Sequence, residues 1–93
     1  MANAIITFKI MPESPDVDLE PVKTKAKEIA KENGAMGEML IEEQPIAFGL
    51  KAVVLKAMYL VEEGKDFDGI ASKMQEIENV QSAEVTGMDL PLG

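Results

Sequence analysis

The longest apolar run of the chain, Leu50 to Val61, is broken only by Lys51 and Lys56, and it begins within the stretch Pro45-Ile46-Ala47-Phe48-Gly49-Leu50-Lys51. A second run with strand character, Met39-Leu40-Ile41-Glu42-Glu43-Gln44, ends where that stretch starts. Two extended runs joined through a proline and a glycine form the pattern of a β-hairpin. Pro45 cannot donate to a ladder, and Gly49 takes backbone angles that other residues avoid. Phe48 is the anomaly, because bends favour small polar residues. Either it folds back onto an edge of the core, or the bend displays an aromatic to a partner, the kind of side chain that anchors interfaces.

The flanking segments read as strand and helix in alternation. Ala4, Ile6, Phe8 and Ile10 point one way and Ile5, Thr7, Lys9 and Met11 the other, which predicts a strand with one buried face, closed by Pro12. Pro12-Glu13-Ser14-Pro15-Asp16 predicts a rigid turn. Asp18 is placed to cap a helix with Glu20 and Pro21 in its first turn and Leu19, Val22, Ala26, Ile29 and Ala30 on one stripe. Lys23, Lys25, Lys27 and Lys31 read as its solvated face, and Gly34 as its stop. In the second hairpin strand, Val53, Leu55, Ala57 and Tyr59 share a face free of charge, which is expected to be the buried one. Ala52, Val54, Lys56 and Met58 share the other, mixed face. Asp66 is placed to cap a second helix carrying Phe67, Ile70, Ala71, Met74 and Ile77, ended by Asn79. Val80 to Met88 reads as a last strand with Ala83 and Val85 inward, and Asp89 to Gly93 as a loose tail.

Strand, helix, strand, strand, helix, strand is the split βαβ order of ferredoxin-like folds. The expected fold is therefore α+β, a four-stranded antiparallel sheet of spatial order 4-1-3-2 with two helices on one face. Residues 1–93 are expected to form a single domain. In this topology the hairpin bend and the loop after the first strand lie at one end of the sheet, and the C-terminus at the other.

Composition removes several chemistries. The chain has no Cys and no His, so it lacks thiolate chemistry, the usual general base near neutral pH and the commonest zinc ligand. It has no Arg, the residue that clamps phosphate with two parallel bonds. A net charge of −8 repels nucleic acid and anionic membranes, so neither is expected as a partner. The carboxylate pairs Glu42-Glu43, Glu62-Glu63, Asp66-Asp68 and Asp16-Asp18 adjoin no nucleophile and no second ligand set. They read as solvated surface, and no metal, cofactor or bond-making active site is expected. The first eight residues lack a basic flank and meet Lys9 too soon for a secretion signal, and no stretch is apolar for long enough to span a bilayer. A cytoplasmic protein is expected.

The stretch Pro45-Ile46-Ala47-Phe48-Gly49-Leu50 is similar to the hairpin motif of the archaeal elongation factor 1-beta family. With Lys51 it also resembles the Pro-Ile/Val-Gly/Ala-Phe/Tyr-Gly-Ile/Leu-Lys motif in the guanine-exchange domain of eukaryotic elongation factor 1B. Met11 to Leu19 resembles the archaeal family's first loop, and Val80 to Thr86 its last strand. The resemblance implies a guanine-nucleotide exchange factor acting on elongation factor 1-alpha, the GTPase that carries aminoacyl-tRNA. It implies that Phe48, flanked by Ile46, Ala47 and Gly49, docks into a pocket on the second domain of that GTPase. It places Lys51 on a motif lysine, where it could pair with a carboxylate on the partner. The eukaryotic domain carries a lysine just before its C-terminal residue that enters the Mg²⁺ site; the matching position here is Leu90, preceded by Asp89, with no cation in the tail. Two other readings stay open on the residues alone. One is a self-associating or ligand-sensing ferredoxin-like module using Ala52, Val54, Lys56 and Met58; the other is a small metal-binding protein built on the acidic loops.

Overall fold

Alternation along the first strand sets the sheet. The computed structural model describes residues 2–62 and 64–89, and in it Ala4, Ile6, Phe8 and Ile10 are all fully buried on one face of β1 (Ala2–Pro12). The chain continues through α1 (Leu19–Glu32), β2 (Met36–Pro45), β3 (Lys51–Val61), α2 (Phe67–Gln75) and β4 (Val80–Asp89). The sheet is antiparallel with spatial order β2-β3-β1-β4, and its element order and two helices make the fold ferredoxin-like α+β.

The two inner strands meet with their apolar faces in register. Ala4 lies opposite Tyr59, Ile6 opposite Ala57, Phe8 opposite Leu55 and Ile10 opposite Val53. The odd-numbered face of β3 is the buried one, as its freedom from charge predicts. Both helices present apolar stripes to this floor: Val22, Ala26 and Ala30 from α1, and Phe67, Ile70, Ala71 and Met74 from α2. β2 is an edge strand, mostly exposed, and its Glu42, Glu43 and Pro45 suit an edge that must not recruit another strand.

Capping follows the expected residues. Asp18 accepts from the Glu20 N–H at 3.1 Å and Asp66 from the Gly69 N–H at 2.9 Å. At the far end of α1 the chain turns at Gly34, with φ +106°, and the Lys65 ammonium donates to the Asn33 carbonyl at 2.6 Å. That bond satisfies a carbonyl at a helix terminus and places a cation where the dipole favours it.

Three expectations change. β2 begins at Met36 rather than Met39, through an irregularity between Met36 and Leu40. α2 ends at Gln75, not at Asn79. The Glu76 and Ile77 N–H groups bond to Lys73 and Met74 three residues back, which tightens and closes the helix. Asn79 then turns the chain at φ +70°, and its carbonyl accepts from the Glu13 N–H at 2.9 Å. In the tail, Asp89 pairs with Ile5 as the last residue of β4, whereas Leu90 to Gly93 lie outside the described residues.

Tyr59 joins most of these pieces. Its ring packs edge-on against Phe8 at 6.2 Å and Phe67 at 5.3 Å, and the Lys65 ammonium sits 5.3 Å from its centroid. Its hydroxyl donates to the Ala30 carbonyl at 3.3 Å, and burial pushes its pKa up to about 12. That carbonyl also accepts from the Asn33 and Ala35 N–H groups, so it keeps partners without the hydroxyl. Tyr59→Phe should therefore cost less than about 1 kcal/mol, and Tyr59→Ala about 3–5 kcal/mol. Thermal melting of the two variants checks this; a large loss in Tyr59→Phe would show that the hydroxyl, not the ring, holds the helix.

Candidate functional site

The hairpin closes through a bend whose tip leaves its side chains exposed. The last rung pairs Pro45 with Lys51, and the five residues between them form the bend. The Ile46 N–H donates to the Leu50 carbonyl at 2.8 Å, and the Leu50 N–H to the Ala47 carbonyl at 3.3 Å, around one short 3₁₀ turn at Ala47–Gly49. Ile46 and Leu50 are extended and half-buried at the base, while Ala47, Phe48 and Gly49 are exposed.

Phe48 has φ +64° and ψ +28°, followed by Gly49 at φ +76°. Glycine adopts this left-handed region freely; for phenylalanine it costs roughly 1–2 kcal/mol. A Cβ at Gly49 would meet Pro15 at an ordinary 3.9 Å, so the backbone angle rather than space requires glycine there. The strained residue is also 93 % exposed. Of the two readings of Phe48 open in the sequence, the core-edge one fails: the ring is outside the core. An aromatic held out in solvent on a strained backbone is a local defect that folding alone does not explain.

Below the bend, the structure assembles side chains that sequence separation hides. The Lys23 ammonium, on α1, bonds both Glu20 at 2.9 Å and Glu43 on β2. Glu43 also lies 4.0 Å from the Lys51 ammonium. The bonds to Glu43 and then Glu20 hold the Lys23 pKa above its ordinary value, and the Lys23 bond holds the Glu43 carboxyl below its own, with Lys51 adding to the effect. Lys23 is thus no plain member of a solvated face. The sequence carries no sign of this link, because its members are twenty residues apart and each belongs to a larger set of like charges.

A cleft of about 260 Å³ lies between the β1–α1 loop and the hairpin, lined by Pro15, Val17, Asp18, Glu43, Gly49 and Lys51 among others. A larger cleft of about 510 Å³ between α1 and α2, with Val22, Ile29 and Ile77 in its wall, shares no lining residue with the hairpin. Among the described residues no three acidic side chains gather as a metal site, and no helix is long and apolar enough to cross a membrane. Of the expected site residues, Ile46, Ala47, Phe48, Gly49 and Lys51 lie together at one end of the sheet. β4 leaves at the other end, and Leu90, which follows it, lies outside the described residues.

Residues 5–90 match the model of the EF-1 guanine nucleotide exchange domain. Elongation factor 1-beta of Pyrococcus horikoshii is 40 % identical over 83 residues, covering 89 % of each chain. Elongation factor 1-beta of Methanococcus maripaludis is 39 % identical over 90 residues, covering 97 % of this chain and 99 % of its own. That of Thermococcus kodakarensis is 39 % identical over 83 residues.

The Lys23–Glu43 link makes a pH-dependent contribution with a definite sign. Glu43 has a depressed folded pKa, so its contribution is present above its ordinary value of 4.5 and fades as pH falls through the folded value. Lys23 has a raised one, so its contribution is lost only as pH rises through a folded pKa above 10.5. Glu43→Gln should therefore lower the melting temperature slightly at pH 7, with the difference from the unaltered protein closing in strong acid. A difference that persists undiminished there would mean the carboxylate is not the source.

Proposed function

This chain belongs to the EF-1 guanine nucleotide exchange domain family, and on that premise we propose that residues 1–93 act as one domain that promotes GDP-to-GTP exchange on elongation factor 1-alpha during translation elongation. The observation that best supports this reading is Phe48, an aromatic 93 % exposed at the tip of a hairpin whose backbone is strained to display it. Ile46, Ala47 and Gly49 shape the tip around it, and Lys51 at its base is more than half exposed beside Glu43. A partner carboxylate would compete with Glu43 for that lysine.

Exchange of this kind makes and breaks no bond in the factor. It is coupling: the factor binds the nucleotide-free GTPase more tightly than the GDP-bound one, so by reciprocity it loosens GDP, and GTP expels it in turn. Phe48 supplies affinity at one end of a body 42 Å long. β4 finishes at the other end, and the residue that follows it in sequence, Leu90, stands where the resemblance puts a lysine in the eukaryotic domain. Without a cation there, exchange would proceed by displacing a partner loop or helix rather than by expelling Mg²⁺ directly. The setting is the cytoplasm, with no direct contact to nucleic acid.

Phe48→Ala should leave folding stability almost unchanged and weaken binding to elongation factor 1-alpha by about 2 kcal/mol, on the order of thirtyfold. Thermal melting and release of fluorescent GDP from elongation factor 1-alpha, run on the same variant, check both halves. Normal GDP release would sink the reading. Leu90→Lys should raise exchange or leave it intact, because it restores the cation the tail lacks; a clear loss in the same GDP-release assay would show that the apolar side chain itself makes the contact.

A further inference from the structure

The base of the hairpin holds one carboxylate between two lysines. Glu43 of β2 meets Lys23 of α1 through Oε2 and faces Lys51 of β3 through Oε1. It does not serve them equally. Lys23 hydrogen-bonds to it directly, whereas the Lys51 ammonium stands 4.0 Å away, beyond hydrogen-bond reach. The depressed pKa of Glu43 follows the same order, with the Lys23 bond as its first cause and Lys51 as its last. The other two carboxylates that line the cleft with Lys51 are also engaged. Asp18 caps α1 through the Glu20 N–H, and Glu20 accepts from Lys23 at 2.9 Å. Lys51 is left as a cation 57 % exposed at the base of the tip. Lys23 is the more covered of the two, its side chain 21 % exposed and its ammonium held by two carboxylates of its own chain.

We infer that Lys23 is a positioning residue for partner binding: by holding Glu43, it keeps Lys51 free for a carboxylate on the GTPase. The inference rests on the exchange-factor reading for the identity of the partner and for the use of Lys51. Glu43 lies opposite Val53 and Lys51 opposite Pro45, so the two are diagonal neighbours on one face of the hairpin. Without the Lys23 ammonium, Glu43 loses its nearest cation and keeps its charge. A shift of about 1 Å then brings Oε1 within hydrogen-bond distance of Lys51. The pair so formed lies within one chain, and a partner carboxylate has to displace it. The three residues therefore act with different signs. Lys51 makes the contact, Glu43 opposes it, and Lys23 favours it without touching the partner. A plain tether between α1 and the hairpin gives another pattern: losing either member of the Lys23–Glu43 link would loosen the tip, and losing both would be no better than losing one.

The test uses the full chain and elongation factor 1-alpha freed of nucleotide, with binding measured at low salt and well below the melting temperature. Lys23→Met keeps the stem and removes the ammonium; it should weaken binding about threefold, the scale of one exposed ion pair. Lys27→Met, an equal loss of charge on the exposed side of α1, should stay within about 1.5-fold. Lys23→Arg should keep the affinity, since a guanidinium also bonds carboxylates. Glu43→Gln should bind as tightly as the unaltered chain or more so, and Lys23→Met combined with Glu43→Gln should match Glu43→Gln alone. In the free chain, Lys51→Met should move the Glu43 carboxyl titration, followed by NMR, further in the Lys23→Met background than in the unaltered one. A double variant as weak as Lys23→Met would overturn the inference, because Lys23 would then be a tether or a direct contact. Equal losses in Lys23→Met and Lys27→Met would overturn it too, as an effect of net charge. If Phe48→Ala weakens binding while Lys23→Met does not, the positioning role falls and the exchange reading stands. If the series behaves as expected but the unaltered chain does not accelerate release of fluorescent GDP, the exchange reading falls and the positioning role stands. Absence of any binding would overturn both.

Discussion

The pairing of β1 with β3 is the constraint on which the rest of the molecule depends. These are the inner strands, and their buried faces meet as Ala4–Tyr59, Ile6–Ala57, Phe8–Leu55 and Ile10–Val53. The first two pairs set a large side chain against a small one, which levels the floor on which the helices rest. A slip of one residue would turn Lys9 or Lys56 into the core and Phe8 or Tyr59 out of it. Stranding an unpaired ammonium among apolar side chains is among the most destabilising changes a small core can suffer. The register is therefore held by what it excludes as much as by what it packs.

That register also fixes where function can be placed. Because β1 runs against both β3 and β4, the hairpin bend emerges beside the end of β1 and β4 finishes beside its beginning. The ends of the sheet are set by strand direction, while the bend itself is free to depart from good local geometry. It does so at Phe48, whose left-handed backbone and exposed ring stabilise nothing in the folded chain. The Lys23–Glu43 link steadies the base without enclosing the tip. On the proposed reading, a tip that stays open and a base that is held would give an anchor that loses little freedom on binding.

Much of this was legible in the sequence, and the reasons differ by element. The strand faces were readable because period-two alternation in β1 and a charge-free odd face in β3 leave one arrangement without buried charge. The helix starts were readable because Asp18 and Asp66 precede apolar stripes at helical spacing. The end of α2 was not, since the closing bonds at Glu76 and Ile77 use the backbone, and any sequence can make them. The left-handed angle at Phe48 was not either: Pro45 and Gly49 signal a bend, but which residue between them bears the strain depends on hydrogen bonds across it. Nor did the order of residues reveal that Lys23 reaches Glu43, because an ion pair between distant segments exists only once α1 lies against the hairpin. What failed to show was thus mostly the pairing of ordinary polar groups by tertiary structure. The motif around Phe48 was visible because its residues are contiguous.

A stiff body is also what a coupling mechanism needs. If the free energy gained at Phe48 is to be used elsewhere on a partner, the sheet between must not bend to absorb it. The inner strands pair along most of their length and are covered on one face by both helices. Flexing such a sheet would break ladder bonds and open the core together. On the proposed reading, a partner whose two contact regions are spaced for GDP would then have to move to meet both ends of the factor at once. The nucleotide-free spacing would be met without strain, and the difference between the two would appear as loosened GDP. By the same reciprocity, GTP would restore the other spacing and release the factor. On that reading the factor need carry no reactive group, and its strained, exposed phenylalanine would serve as the anchor.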